Sequence, residues 1–236
     1  MQEKEKKVNN LKNKKENQKI LLKIENASYR YKDAKKDEYA IKNINYEFKQ
    51  GKIYAIKGRS GSGKTTLLSL ISGLERCTEG RIIFDNKDLK EINLDTYRNH
   101  EIGIVFQSYN LLPYMSAIEN IILSMDISGI KIKDKNKKAL ELMKQVGLKE
   151  SYAKRRILKL SGGEQQRVAI ARSLSYNPKM IIADEPTGNL DKETEKEILN
   201  IFKKLAHEEN KCIIIVTHSK EVCDMVDCVY ELKKVK

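Results

Sequence analysis

The stretch Gly58-Arg59-Ser60-Gly61-Ser62-Gly63-Lys64-Thr65, followed by Thr66, packs three glycines, a lysine and four hydroxyls into nine residues. Glycines let a backbone wrap closely around an anion with its N–H groups turned inward, and here a lysine and a hydroxyl follow at once. Lys64 would neutralise the outer phosphates of a nucleotide, and the Thr65 oxygen would hold Mg²⁺. A second stretch, Met180-Ile-Ile-Ala-Asp184-Glu185, is an apolar run ending in two acids. Two carboxylates at the end of a buried strand are costly without a partner. Asp184 is therefore expected to bind Mg²⁺ through water, and Glu185 to orient or polarise an attacking water. His218 follows the run 212–217, and Gln107 follows the run 102–106. At such strand ends the imidazole could hydrogen-bond a γ-phosphate or the water, and the amide oxygen could ligate the same ion.

Leu160-Ser161-Gly162-Gly163-Glu164 opens a further helix pattern with a capping serine and two adjacent glycines, which makes a second anion-ready helix start in one chain. One helix end offers about half a positive charge and contributes about 0.3–2 kcal/mol to an anion. A nucleotide's phosphates carry several negative charges, so a phosphate loop alone leaves the far face of the outermost phosphate in water. There electrostatic stabilisation of a transition state is weak, and a second helix end is suited to cover it.

These residues need elements to position them. β-type runs cover residues 20–24, 41–48, 53–56, 81–84, 102–106, 180–183, 212–217 and 228–232. Continuous apolar runs such as Ile213-Ile214-Ile215-Val216 suit strands buried on both faces of a parallel sheet. Ile41-Lys-Asn-Ile-Asn-Tyr-Glu-Phe48 alternates instead, and fits an antiparallel sheet packed on one face. The phosphate loop lies between the strand 53–56 and a helix 65–71 that Gly73 ends. From Ser116 to Leu160 the pattern turns helical, with residues 139–146 stopped at Gly147. The predicted fold class is α/β: a P-loop NTPase core with a mixed or parallel sheet, an N-terminal antiparallel β subdomain and an inserted α-helical subdomain at about 109–175. Residues 1–19, with seven lysines and three glutamates but few aliphatics, read as a flexible basic tail before one domain over 20–236.

The chain has 236 residues, 40% of them apolar, enough for a real core. Its longest apolar runs fall short of the ~18 residues a membrane helix needs, and no signal-peptide pattern opens it, so a cytoplasmic protein is expected. Cys77, Cys212, Cys223 and Cys228 form no C-x-x-C pair. Cys223 and Cys228 with His218 could bind zinc, but small reduced residues are the favoured reading and no structural metal is expected. The net charge of +13 is spread, without the arginine-rich or aromatic-interleaved block of a base reader, so no nucleic-acid partner is expected.

Taken in order, the phosphate loop, Gln107, Leu160–Glu164, Asp184-Glu185 and His218 resemble the ATP-binding subunit of ATP-binding cassette (ABC) transporters. Leu160-Ser161-Gly162-Gly163-Glu164 followed by Gln165-Gln166-Arg167 looks like the family signature. The resemblance covers about residues 20–235. It implies ATP hydrolysis with Mg²⁺, a homodimer formed head to tail on ATP binding, a separate transmembrane permease and a place on the inner face of the cell membrane. It implies Glu185, His218 and Lys64 as catalytic residues, and residues 58–66 with Gln107 as the ATP-binding set. Tyr31 is the implied adenine-stacking aromatic, with Tyr29 as a competitor. Ser161, Gly162, Gly163, Glu164 and Asp191 would act on the other subunit's ATP, and Thr65, Gln107 and Asp184 would be the metal ligands.

Two departures stand out. Lys57 replaces the usual apolar residue before the loop, so that strand end should be less buried or its amine should snorkel toward the phosphates. Gly188-Asn189-Leu190-Asp191 replaces the commoner Ser-Ala-Leu-Asp. The latter looks most like the macrolide and antimicrobial-peptide exporters, lipoprotein-release systems and cell-division ATPase. A signalling or cell-division role without transport stays open beside export. A DNA or ribosome role is disfavoured, because the chain has no room for a long coiled coil between Lys64 and Ser161 and carries one cassette only.

Overall fold

The computed structural model describes residues 19–35 and 38–235, so the tail expected over residues 1–19 lies outside the described residues except for Lys19. In chain order the main elements are β1 (Ile20–Tyr29), β2 (Ile41–Lys49), β3 (Ile53–Lys57), α1 (Lys64–Ile71), β4 (Glu79–Phe84), β5 (Lys87–Asp88) and β6 (Ile102–Val105). There follow α2 (Ala117–Ser128), α3 (Lys135–Gln145), α4 (Gly162–Ser173), β7 (Met180–Asp184), α5 (Lys192–His207), β8 (Cys212–Thr217), α6 (Lys220–Met225) and β9 (Cys228–Glu231).

Two sheets form, as the two kinds of strand pattern predict. Strands β2-β1-β4-β5 make an antiparallel sheet, and β6-β7-β8-β3-β9 make a sheet whose neighbours all pair in parallel. The continuous apolar strands serve two cores at once. Along β8, Ile213 and Ile215 enter one core, while Cys212, Ile214 and Val216 enter the other, and Ile181 and Ile182 of β7 divide in the same way.

The second core is closed by α1, wedged between the sheets. Its Leu67, Leu70 and Ile71 are buried with Leu22, Ile24, Phe48 and Phe84 of the antiparallel sheet. The first core is covered by α5, whose Ile198, Phe202 and Leu205 recur at helical spacing, and by α2, α3 and α4. Each large apolar side chain so buried contributes about 1.5–3 kcal/mol, which holds the sheet's carboxyl edge rigid enough to aim side chains. Helix α2 begins with a reciprocal Ser116–Glu119 capping box and stops at Gly129, where φ is 68°. Among the described residues no helix is long and apolar enough to cross a membrane.

Candidate functional site

In the parallel sheet Lys57 of β3 pairs with Thr217 of β8, Asp184 of β7 with Val216, and Val105 of β6 with Ala183. The carboxyl ends are therefore level. The phosphate loop, His218, Asp184-Glu185 and Gln107 all leave the sheet along one edge, where α/β folds place their ligands.

The phosphate loop turns into α1 at Gly63, where φ is 90° and a Cβ would stand 2.5 Å from Ile41 Cγ2 and 2.6 Å from the Ala40 carbonyl oxygen. Only glycine fits there. Lys64 Nζ donates to the carbonyls of Gly58 (2.8 Å) and Arg59 (3.3 Å), so its ammonium lies over the loop among oxygen atoms, as it would over a phosphate. The Ser62 hydroxyl is buried and unpaired, and packs against Gly58. Arg59, Ser60, Gly61 and Thr65 are exposed, whereas Thr66 is buried and its Oγ1 lies 2.9 Å from the Tyr31 hydroxyl. Of the two tyrosines left open by the sequence, Tyr31 is thus the one touching the loop's helix. Tyr31 is 54% exposed and can still stack on a ligand, with the Tyr29 ring edge-on against its own at 5.1 Å. Lys57 is exposed at its strand end, as its type predicts.

Asp184 is half-buried. Burial raises its pKa first, the neighbouring Glu185 carboxylate adds to this, and Lys64 opposes both. Glu185 has φ 42°, a left-handed conformation costing about 1–3 kcal/mol that persists only where its surroundings enforce it. Here they do. Its backbone N–H donates to the Val216 carbonyl (2.9 Å), and its carboxylate accepts from Thr217 Oγ1 (3.0 Å) and the His218 N–H (3.4 Å) and faces His218 Nδ1 at 2.7 Å. The imidazole is mostly exposed while the Glu185 side chain is not, so the pair runs from interior to rim. Thr217 has no place in the sequence reading, although its position at the strand end beside His218 is a signal for it.

Gln107 lies over the turn that follows Glu185, with its Nε2 3.1 Å from where a Gly188 Cβ would stand. The segment beyond it is clasped from α4: Arg172 donates to the Tyr109 carbonyl (2.9 Å) and to that of Asn110, two residues at φ 61° and 49°. This clasp is absent from the sequence reading too.

The second helix start is α4. Ser161 Oγ accepts from the Glu164 N–H (3.3 Å) and Glu164 Oε2 accepts from the Ser161 N–H (2.8 Å), so the Glu164 carboxylate is engaged within its own chain. A Cβ on Gly162 would meet the Tyr109 hydroxyl at 3.1 Å and one on Gly163 would meet Thr194 at 2.5 Å; none of these nearest neighbours comes from the phosphate loop. Asp191 also works inside the chain. It caps α5 by accepting from the N–H groups of Glu193 (3.1 Å) and Thr194 (2.9 Å) and from Thr194 Oγ1 (2.7 Å), and these bonds, Thr194's first, hold its pKa down. The resemblance gave Glu164 and Asp191 roles across a dimer; the structure gives both a local capping role as well.

The family model described as "ABC transporter" matches residues 41–188. An uncharacterized ABC transporter ATP-binding protein of Bacillus subtilis, YclH, is 46% identical over 88% of this chain and 91% of its own. The lipoprotein-releasing system ATP-binding protein LolD of Rickettsia felis is 41% identical over 90% of this chain and 95% of its own. The dimeric structure of MJ0796, an ABC transporter cassette of Methanocaldococcus jannaschii, superposes with a TM-score of 0.81 at 39% identity, covering 90% of this chain and 94% of that one. A second structure of that cassette, in a post-hydrolysis state with ADP and Pi, gives the same TM-score at 38% identity and the same coverage. A level edge of loop, acids and histidine on a cassette fold, with relatives this close along most of their length, leaves one conclusion: the chain belongs to the ABC transporter family as an ATP-binding, ATP-hydrolysing subunit.

Proposed function

We propose that two copies of this chain close head to tail around ATP and drive a separate permease at the inner face of the cell membrane. The cargo would be a lipid-like molecule, an antimicrobial peptide or a macrolide, or the motion itself would be the output. The observation that carries the dimer is the position of α4: an anion-ready helix start whose glycines face Tyr109 and Thr194 rather than their own phosphate loop. The dimeric state of the MJ0796 cassette and the likeness to LolD support the same reading.

In this reading the loop 58–66 and Lys64 hold the phosphates, Tyr31 stacks on the base, and Ser161, Gly162 and Gly163 of the partner copy cover the γ-phosphate. Glu164 keeps the α4 start in shape through its capping box. Asp191 reaches the partner's side of the site while its carboxylate caps α5. Thr65, Gln107 and Asp184 are hard oxygen donors suited to Mg²⁺, which when bound supplies positive charge on the phosphates. The raised pKa of Asp184 fits, because a cation there relieves two adjacent, half-buried acids. Glu185 takes a proton from the attacking water while Thr217 steadies its other oxygen, and His218 leaves its resting contact with Glu185 to hydrogen-bond the γ-phosphate. Ser161→Arg is expected to leave ATP binding by the single copy intact while abolishing dimer closure and hydrolysis. Measured by nucleotide titration and size-exclusion chromatography with ATP, loss of binding in the monomer counts against the assignment.

A further inference from the structure

Glu195 lies one turn into α5 and belongs to none of the groups assigned above. Its Oε1 accepts from Thr187 Oγ1 at 2.9 Å and from Ser219 Oγ at 3.3 Å. Thr187 stands two residues after Glu185, and Ser219 directly follows His218. On the other side Thr217 Oγ1 donates to Glu185 Oε2 (3.0 Å) and accepts from the Ser219 N–H (3.0 Å). The contacts close a ring that runs from Glu185 through Thr217, Ser219, Glu195 and Thr187 and back along the chain to Glu185. Thr187 and Thr217 are both buried, so neither hydroxyl can easily turn to water instead.

We propose that Glu195 is a positioning residue that fastens the turn after Glu185 to the turn after His218 and so fixes the Glu185–His218 geometry. The proposal rests on the reading of Glu185 and His218 as the hydrolytic pair. Two features give the ring its purpose. Glu185 holds a left-handed backbone that its surroundings must enforce, and the Thr187 anchor lies on the segment leaving it. Ser219 has one hydroxyl proton and two carboxylates within reach, Glu195 at 3.3 Å and Glu221 at 3.1 Å, while its oxygen caps α6 by accepting from the Val222 N–H at 3.2 Å. Without Glu195 that proton has Glu221 as its one carboxylate acceptor, and the turn beside His218 loses its tie to α5. A bland account exists: an acid in the first turn favours any helix through the macrodipole. That account needs the charge and not the oxygen's direction, and the two separate by substitution.

Glu195→Gln removes the charge and keeps an acceptor oxygen, whereas Glu195→Ala removes both. Steady-state ATPase kinetics should show kcat lowered about tenfold in Glu195→Ala, the loss expected from a misplaced catalytic pair held by two hydrogen bonds. KM for ATP should stay within about twofold, because the phosphate loop and Tyr31 lie outside the ring. Glu195→Gln should keep kcat within about twofold of the parent. Thr187→Val should reproduce the Ala loss, and the Thr187→Val, Glu195→Ala pair should lose little more than either alone, since both cut one connection. Wild-type kcat in Glu195→Ala, equal impairment of Gln and Ala, or additive losses in the pair would each overturn the proposal. Should Glu195→Ala fail to fold, the Gln and Val variants still decide it. Glu185→Gln is assayed beside them. Hydrolysis surviving there refutes the underlying reading, while a dead Glu185→Gln with an unaffected Glu195→Ala refutes the ring alone.

Discussion

Replacing Arg172 by alanine tests how firmly the Gln107 segment is held. The guanidinium donates to the carbonyls of Tyr109 and Asn110, and burial lowers its pKa. A hydrogen bond involving a charged group contributes about 1.5–3 kcal/mol, so two represent about 3–6 kcal/mol. Removing the clasp also lets Tyr109 leave its left-handed conformation, which returns about 1–3 kcal/mol, whereas Asn110 belongs to a type that adopts that conformation at little cost. The net loss is then about 3 kcal/mol, and for a chain of this size it lowers Tm by about 6–12 °C. The assay is thermal unfolding without nucleotide, followed by ATP hydrolysis below the lowered Tm. Hydrolysis should fall in the surviving folded protein, because the loose segment carries Gln107. An unchanged Tm would show that the two carbonyls find other donors and would refute the clasp.

Two further outcomes follow from the same geometry. Asp184 has its pKa raised by burial first and by Glu185 second, so the folded state holds its proton more tightly than the unfolded chain. Its contribution to stability is fully present below the ordinary carboxylate pKa and is lost as pH rises through the raised value. At pH 7 without Mg²⁺, Asp184→Asn should therefore match or exceed the parent in Tm yet lose the extra stabilisation by Mg²⁺ and ATP; a lower Tm at pH 7 would contradict this sign. Tyr31→Ala should raise KM for ATP by about 2–10-fold, the worth of one aromatic stack at about 0.5–1.5 kcal/mol, while Tyr31→Phe, losing only the Thr66 contact, should change it little. A KM unmoved by Tyr31→Ala would return the stacking role to Tyr29.

Much of this architecture is legible in the sequence, for identifiable reasons. Strands buried on both faces, such as Ile213 to Val216, announce themselves as unbroken apolar runs, and the phosphate loop carries its own backbone requirements in its glycines. Polar continuation hides the rest. β1 reads as ending at Ile24 but runs to Tyr29, because Asn26 at φ 50° takes up a register shift that lets the strand continue through Glu25-Asn26. α3 begins at Lys135 under an Asp134 cap rather than at the first apolar residue, Ala139, since its first turn is all lysine and asparagine on the solvent side. β5 is missed although Asp85-Asn86, both at positive φ, is a turn signal between it and β4. Tertiary contacts such as Arg172 on Asn110, or Glu195 on Ser219, join residues far apart in the chain and leave no local trace. Asp191 and Glu164 show a related limit, because an acid three residues into a helix or just before one reads equally as a cap and as a reagent.

One variant tests both halves of the proposal that Glu185 activates water at an ATP site completed by a second copy of the chain. Glu185→Gln keeps the shape and the hydrogen bond from Thr217 but takes no proton. Purified with Mg²⁺ and ATP, it should bind nucleotide, lose hydrolysis by about 10²–10⁴-fold, the usual worth of a general base, and elute as a stable dimer that reverts to monomer when ATP is removed. Hydrolysis at the parent rate, or a monomer holding ATP under the same conditions, would contradict it.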